Sequence, residues 1–259
     1  MRSSAAKLIA KKRLDKEIHD ELPIFQRPST LAEGYEIQSE VHQLLIPKRG
    51  PVVGFKIGCT TKVMQDFLNI NIPCAGGFFF SEKYDDGSYL SLADYTNLGL
   101  ECELVIELSK DLKTTKSQLE PSDLIECVKS VGVAIELVEN RYKNYHDFGV
   151  PSLIADDFFT AGMVLGPTKE KWDISDINDL SGIIRINGSK IEQTPAYNET
   201  DNPLTALCWL ANLKNQQGQP LLEKNYILTG SLTETKWISS PGIINCEIRG
   251  LGSVSVEFF

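Results

Sequence analysis

The chain has 259 residues, 42% of them hydrophobic, which is enough for one large domain, or for a small cap followed by one domain. With 26 Lys and Arg against 35 Asp and Glu, the formal net charge is −9, so no basic surplus exists to neutralise the phosphates of a nucleic acid. No run of 18 apolar residues occurs, which excludes a membrane-spanning helix.

The cysteines and histidines narrow the chemistry further. The six cysteines stand apart, with no C-x-x-C pair and no histidine at zinc spacing, which predicts free thiols in a reduced, cytoplasmic protein. His19, His42 and His146 are the only histidines and no G-x-S-x-G sequence is present, so a Ser-His-Asp triad has little support. The basic N-terminus lacks the apolar segment of a targeting signal and is typical of a surface helix.

The first 50 residues predict a helical cap. Residues 5–20 carry a loose apolar stripe that indicates a helix, and a proline-bounded connector covers Leu22–Pro28. Thr30-Leu-Ala-Glu33 is a capping box that opens a second helix through about Leu45. The predicted domains are therefore a cap at 1–50 and a β-rich domain at 51–259.

From residue 51 the pattern changes to short apolar strands separated by glycine-containing turns. Strands are predicted at Val52–Ile57, Leu98–Leu108, Val131–Val138, Ala161–Leu165, Gly182–Ile186, Ile191–Gln193, Tyr226–Thr229, Ile243–Ile248 and Val254–Phe258. Helices are predicted at Thr61–Leu68, at Ser122–Ser130 and from Asn202-Pro203 to near Gly218. The order lacks the steady strand–helix alternation of a doubly wound sheet, so the predicted class is α+β.

The strand Leu98–Leu108 carries the most informative pair of residues, Glu101 and Glu103. Side chains at i and i+2 of a strand point to the same face, so the two carboxylates lie side by side, about 7 Å apart. On a buried face two like charges need a counter-ion, and carboxylate-only ligation favours Mg²⁺ or Mn²⁺. The alternative is that Glu101, Glu103 and Glu107 line a solvated face of an amphipathic strand.

Two further residues sit unusually in apolar strands. Glu136 lies within Ala134-Ile-Glu-Leu-Val138, where a carboxylate is costly unless it is paired or bound to metal. Lys56 stands between Gly54 and Gly58, and a partly buried lysine can polarise a carbonyl or move a proton. For each the plainer alternative is a solvent-facing side chain on an edge strand.

A family resemblance joins these features over nearly the whole chain. The sequence resembles the 2-keto-4-pentenoate hydratase / 4-oxalocrotonate decarboxylase family of the fumarylacetoacetate hydrolase superfamily. The motifs that carry the resemblance are Gly54-Phe-Lys-Ile-Gly-Cys-Thr-Thr-Lys-Val-Met64, Leu100-Glu-Cys-Glu-Leu104, Ala134-Ile-Glu-Leu-Val-Glu-Asn-Arg141, Asn202-Pro-Leu-Thr-Ala-Leu-Cys-Trp-Leu-Ala-Asn212, Thr229-Gly-Ser231 and Leu251-Gly-Ser-Val-Ser-Val256.

The resemblance implies a mixed β-roll as the catalytic domain and a metal-dependent activity on a 2-oxo acid. Glu101, Glu103 and Glu136 would be the metal ligands for Mg²⁺ or Mn²⁺, and Lys56 the active-site lysine. Thr229 and Ser231 would hold the oxo-acid end of the substrate. The implied reaction adds water to a 2-hydroxy-2,4-dienoate to give a 4-hydroxy-2-oxo acid, as in meta-cleavage of aromatic compounds. A homo-oligomer is also implied, possibly one paired with a paralogous decarboxylase or hydratase.

The chain departs from the family pattern around the predicted pocket. Where the hydratases usually have Pro-Asp-[FY]-Gly, this chain has Pro73-Cys-Ala-Gly76, so Cys74 replaces an acid. The hydratase stretch Asp-Asn-Ala-Ser-Ser-Gly becomes Asp156-Asp-Phe-Phe-Thr-Ala161, which brings Phe158, Phe159 and Thr160 to the expected substrate region. The family's Gly-His-Pro becomes Asp201-Asn-Pro203. These changes predict an altered pocket beside an intact metal site.

Three alternative functions stay open from the sequence. A decarboxylase of 2-oxo-enedioates would need a cation for the second carboxylate, and Arg141, Lys62 and Lys236 are the candidates. An acylpyruvate-type C–C hydrolase would need a His/Glu pair, for which the cap offers His19 with Glu17 and His42 with Glu40. Neither pair shares a helix face at that spacing. The third alternative is a catalytically weak partner subunit of an active paralogue.

Overall fold

The computed structural model describes residues 2–19, 22–114, 116, 118–173, 177, 180–194 and 202–259. The helices are α1 (Arg2–Asp15), α2 (Leu31–Arg49), α3 (Lys62–Phe67), α4 (Val150–Ala155) and α5 (Pro203–Gln216). The strands are β1 (Val52–Gly58), β2 (Cys74–Phe79), β3 (Lys83–Asp85), β4 (Ser88–Leu90), β5 (Leu98–Leu108), β6 (Val128–Glu139), β7 (Thr160–Lys169), β8 (Gly182–Ile186), β9 (Ser189–Gln193), β10 (Tyr226–Ser231), β11 (Lys236–Ile238), β12 (Gly242–Ile248) and β13 (Gly252–Phe258). Over these ranges, no helix is both long and apolar enough to cross a membrane.

Two mixed sheets form the body of the fold. In the described chain the larger sheet has the strand order β2-β1-β10-β5-β6-β7-β3, with β11 paired to β5, and the smaller has the order β4-β13-β12-β8-β9. The pairs β1/β10, β3/β7 and β4/β13 are parallel, and the others are antiparallel. The mixed α+β architecture predicted from the sequence is confirmed.

Strand β5 separates the main core from the interior face that carries the acids. Leu100, Cys102 and Leu104 point into the large core, where they are fully buried. The alternate residues face the other way, and Val105 belongs to a second, smaller cluster with Phe78, Ala134, Met163 and Leu228. Because side chains alternate along a strand, Glu101 and Glu103 share this second face.

The two N-terminal helices pack onto the strand domain. Ala5 and Ile9 of α1 and Val41 and Leu45 of α2 are buried in the same hydrophobic core as the strands. Both helices lie within the first 50 residues, and the division into domains at residue 50 stays a prediction.

The predicted start of α2 is confirmed in part. The Thr30 hydroxyl accepts a 3.2 Å hydrogen bond from the Glu33 N–H, as a capping box requires. In a capping box the Glu33 carboxylate would accept a hydrogen bond from the N–H of Thr30. Here it accepts hydrogen bonds from the backbone N–H and the hydroxyl of Ser29, one residue earlier.

Thr30→Ala is expected to lower the free energy of unfolding by about 1 kcal/mol, because the N–H of Glu33 loses its acceptor. Thr30→Ser keeps the hydroxyl and should retain most of that stability. Urea unfolding of both variants measures the difference, and equal losses would show that the cap contributes nothing.

Several predicted elements differ from those observed. The helix predicted at Ser122–Ser130 is wrong: two short 3₁₀ turns occupy Pro121–Asp123 and Ile125–Cys127, and β6 begins at Val128. Pairing of Val128 with Leu108 extends the β5–β6 ladder into this segment and overrides the helical start signal at Pro121. Strand β2, rich in glycine, was not predicted, nor were the short elements α4 and β11.

Candidate active site

The three predicted ligands meet on the interior face of the larger sheet. Glu101 on β5 lies directly opposite Glu136 on β6, and Glu103 follows two residues along the same face. One carboxylate oxygen from each of the three lies within 4.8 Å of the others. Glu103 and Glu136 are each only 1% exposed, so the solvated-strand alternative is wrong for them. We call Glu101, Glu103 and Glu136 the acidic cluster.

Lys56 reaches the acidic cluster across the sheet. Its strand β1 is separated from β6 by β10 and β5, which would place the two strands about 14 Å apart in a flat sheet. The sheet curls, and the Lys56 ammonium lies 3.1 Å from Oε1 of Glu136. Lys56 is 4% exposed, so the surface-lysine alternative is also wrong.

Two of the three acids are held by protein donors. The Glu103 carboxylate accepts a 2.9 Å hydrogen bond from the N–H of Gly230, and Glu101 accepts one from the Thr235 hydroxyl. The resemblance implied that Thr229 and Ser231 hold the oxo-acid end of the substrate, and here the Gly230 N–H between them binds a carboxylate of the protein. Thr235 was not predicted from the sequence, because it directly precedes β11, a strand of only three residues that is too short to show a pattern.

The charge of the cluster is incompletely balanced. Burial and repulsion by Glu136 raise the pKa of Glu101 to about 7, and they raise the pKa of Glu103 well above its usual range. Burial alone would lower the pKa of Lys56, but the three neighbouring carboxylates raise it. With all three carboxylates ionised, the cluster and the Lys56 ammonium would carry two negative charges (−3 + 1), which a divalent cation would neutralise.

Glu136 has the free electron pairs that a metal ligand needs. Apart from the 3.1 Å ion pair of its Oε1 with Lys56, no hydrogen bond of good geometry from the described residues reaches its buried carboxylate oxygens. A buried carboxylate without such partners is costly, and an all-carboxylate donor set suits a hard divalent cation. The residues therefore fit Mg²⁺ or Mn²⁺ as ligands.

A cavity of about 560 Å³ opens above the cluster. Lys56, Glu101 and Ser231 line it together with Phe158 and Phe159, all of which the sequence singled out. Much of the remaining lining is apolar or aromatic: Ile57, Met64, Phe67, Leu68, Val138, Tyr145, Leu232 and Trp237. The site thus has a charged floor and an apolar upper part.

Three predicted substrate-binding residues lie outside the described lining. The Thr229 hydroxyl donates to the Leu104 carbonyl, because a bulge at Gly230 breaks the alternation between Thr229 and Ser231. The Thr160 hydroxyl donates to the carbonyl of Asp157.

Cys74 also lies outside the cavity lining. It is fully buried, and Cys59 takes the place on the cavity wall. Contact with the Cys59 thiol and burial raise the pKa of Cys74. Cys59 was not singled out from the sequence, although it lies within the recognised lysine motif.

The residues proposed for the alternative functions are used elsewhere. Arg141 is buried and donates to Asp156 and Glu139, and the exposed Lys62 pairs with Asp66. Lys236 pairs with Glu192 and Glu234. His42 contacts Asp157 at 2.7 Å and His19 lies 3.5 Å from Asp156, so neither joins a glutamate at the cavity. Asp201 lies outside the described residues.

Comparisons with known proteins agree with the geometry. The chain is 30% identical over 230 residues to a 2-keto-4-pentenoate hydratase of Burkholderia vietnamiensis, covering 89% of this chain and 86% of that protein. It is 27% identical over 227 residues to a 4-oxalocrotonate decarboxylase of a Pseudomonas species, covering 87% and 86% respectively. No family model matches the chain.

A solved structure shares the whole fold. The 4-oxalocrotonate decarboxylase of Pseudomonas putida G7, complexed with magnesium and adipate, superimposes with a TM-score of 0.90 at 21% identity. The match covers 100% of this chain and 97% of that one. The predicted β-roll with N-terminal helices is therefore confirmed.

Proposed function

Because this chain belongs to the 2-keto-4-pentenoate hydratase / 4-oxalocrotonate decarboxylase family, a family of lyases, we propose that it is a divalent-metal-dependent hydratase. Its substrate would be a 2-hydroxy-2,4-dienoate, in equilibrium with the 2-oxo-enoate, and its product a 4-hydroxy-2-oxo acid. The observation that carries the proposal is the buried acidic cluster beside Lys56, because Glu101 of the cluster and Lys56 both line a cavity.

Glu101, Glu103 and Glu136 would hold the cation. Mg²⁺ or Mn²⁺ held there would supply Lewis-acid polarisation of the 2-oxo acid. The magnesium in the structurally similar decarboxylase supports a divalent cation, and the choice of Mg²⁺ over Mn²⁺ belongs to the proposal.

Lys56 supplies the second part of the chemistry. Its buried ammonium is held protonated by the acidic cluster and faces the cavity. It stabilises negative charge that develops on the 2-oxo oxygen when the dienol becomes an enolate, and it can donate a proton to that unit. The apolar walls limit water around these charges, which strengthens both effects.

The charges of the cavity favour a hydratase over the sister decarboxylase. A 2-oxo-enedioate carries a second carboxylate, which needs a cation away from the metal site. On the described part of the lining, Lys56 is the only cationic side chain. Glu192 and Glu234 also line it, and the Lys236 ammonium that they share leaves them with one net negative charge (−2 + 1). A second substrate carboxylate would be repelled there.

The test is the loss of dienol absorbance of 2-hydroxypenta-2,4-dienoate with purified protein, with Mg²⁺ and after its removal by a chelator. We expect metal-dependent loss, with 4-hydroxy-2-oxopentanoate identified by NMR. Release of CO₂ from 2-oxohex-3-enedioate, without hydration of the dienoate, would replace the hydratase proposal by the decarboxylase.

The assembly of the protein is a separate part of the proposal. A homo-oligomer, alone or paired with a paralogous decarboxylase or hydratase, is supported only by the family resemblance. Sedimentation of the purified protein tests this prediction.

A further inference from the structure

We propose that the substrate carries a bulky, uncharged apolar substituent, an aryl group above all, at the end of its chain remote from the carboxylate. The inference rests on the proposed function for the orientation of the substrate, with its oxo-acid end at the acidic cluster. The inference concerns the opposite end of the substrate, which would lie in the apolar upper part of the cavity.

The size and exposure of the apolar lining support such a substituent. A cavity of about 560 Å³ falls within the range that holds drug-sized ligands, far larger than a five-carbon acid needs. Three large apolar side chains stand exposed along its wall: Met64 is 44% exposed, Phe67 60% and Trp237 50%. Their apolar area is continuous with the charged floor, so one elongated amphipathic ligand would cover both.

Aromatic side chains form one wall of the cavity. The rings of Phe158 and Phe159 meet edge to face with centroids 5.6 Å apart, and Phe159 meets Tyr145 in the same way at 5.4 Å. We call Phe158, Phe159 and Tyr145 the aromatic wall. A further aryl ring that met these side chains edge to face would gain attraction beyond that from the burial of its apolar area.

The backbone under the aromatic wall is held in a costly conformation. Asp157, Phe158 and Phe159 have φ angles of 57°, 46° and 68°, the left-handed region that costs roughly 1–2 kcal/mol for each residue with a side chain. The Phe158 ring consequently lies 5.3 Å from the Lys56 ammonium and against Gly58, where an added Cβ would come within 3.0 Å of it.

Buried contacts maintain this conformation. The Asp157 carboxylate accepts hydrogen bonds from Arg13, from His42 at 2.7 Å and from the Gly77 N–H at 2.9 Å. These contacts fix the segment before any ligand arrives, so the aromatic wall is preformed. Preformed walls make binding depend on the shape and charge of the substituent.

The experiment compares the binding of three saturated 2-oxo acids that cannot be hydrated. They are 2-oxopentanoate, 2-oxo-5-phenylpentanoate and 2-oxoadipate, titrated calorimetrically into the full-length protein with Mg²⁺. We expect the phenyl compound to bind at least about tenfold more tightly than 2-oxopentanoate, and the dicarboxylate to bind more weakly than the phenyl compound by a similar factor.

Phe159→Ser, which restores the residue usual in the hydratases, is expected to reduce the phenyl preference to about threefold or less. Phe25→Ser is the matched control, because Phe25 is 70% exposed and lies outside the cavity lining; it should keep the full preference. Equal binding of the phenyl and unsubstituted acids, or tighter binding of 2-oxoadipate, would overturn the inference. The outcome is independent of turnover, so failure of the hydratase assay and failure of this inference are distinguishable.

Discussion

Glu136→Gln is expected to reduce kcat for the dienoate by roughly a hundred- to a thousandfold, and to weaken Mg²⁺ or Mn²⁺ binding at least about a hundredfold. The substitution keeps the size of the side chain but removes one negative charge from the acidic cluster. It also puts an amide nitrogen where one carboxylate oxygen was free to bind a cation. The net charge with Lys56 falls from −2 to −1, which no longer matches a divalent cation.

Metal binding is measured without turnover by the rise in melting temperature on adding Mn²⁺. A cation that binds only the folded protein stabilises it by mass action, so the wild type should show a concentration-dependent shift. Glu136→Gln should show almost none at the same concentrations. A shift of wild-type size in the variant would place the cation elsewhere.

Glu107→Gln is the matched control for this substitution. Glu107 lies on β5 with Glu101 and Glu103 and is largely buried, but it accepts hydrogen bonds from Lys129 at 3.0 Å and Ser130 at 3.1 Å. It therefore has partners of its own and stands outside the cluster. Its replacement should leave the Mn²⁺-induced shift unchanged.

The acidic cluster could be predicted from sequence because its geometry is local. The i, i+2 spacing of Glu101 and Glu103 fixes a common face once the segment is a strand. Glu136 stands out because a carboxylate in an apolar run is costly without a partner. The alternation of side chains along each strand does not predict the register of β5 with β6, and it is this register that sets Glu136 opposite Glu101.

The rest of the site depends on contacts between distant residues. Thr229 was predicted in the pocket, but a one-residue irregularity at Gly230 turns its hydroxyl to Leu104. Asp157 meets Arg13, which is 144 residues away in the sequence, and no periodicity or spacing encodes such a pair. Cys74 was predicted at the cavity, but Cys59 lies on the cavity wall instead. Strand pairing sets Cys74 opposite Gly58, the residue before Cys59.

Asp157→Asn is expected to lower the free energy of unfolding by about 3–5 kcal/mol at neutral pH, the usual cost of removing one partner from a buried ion pair. Asp157 is fully buried, and Arg13 is 3% exposed. Among the residues that the structure describes, the variant leaves the Arg13 guanidinium with more distant carboxylates, Glu82 at 3.7 Å and Asp156 at 3.9 Å. It also weakens the support of the left-handed segment beneath the aromatic wall.

The same substitution should change how stability depends on pH. Burial alone would raise the pKa of Asp157, but His42 and Arg13 lower it well below its usual value. A carboxyl whose pKa is depressed on folding contributes stability that is fully present above its unfolded pKa of about 3.9 and is lost as the pH falls through the folded value. The wild type should therefore lose stability steeply below about pH 4, and Asp157→Asn should do so less steeply.

Asp15→Asn, on the helix α1 that also carries Arg13, provides the control. Asp15 pairs with Lys11 at 2.6 Å on the exposed side of α1, where solvent screens an i, i+4 ion pair and leaves it little effect on stability. Urea unfolding of both variants at pH 7 and near pH 3.5 measures the difference. Adding Arg13→Met to Asp157→Asn removes the uncompensated charge, so the double variant should recover part of the lost stability. Equal, small losses for Asp157→Asn and Asp15→Asn would mean that the buried contacts do not hold the segment, and that the aromatic wall keeps its conformation through packing alone.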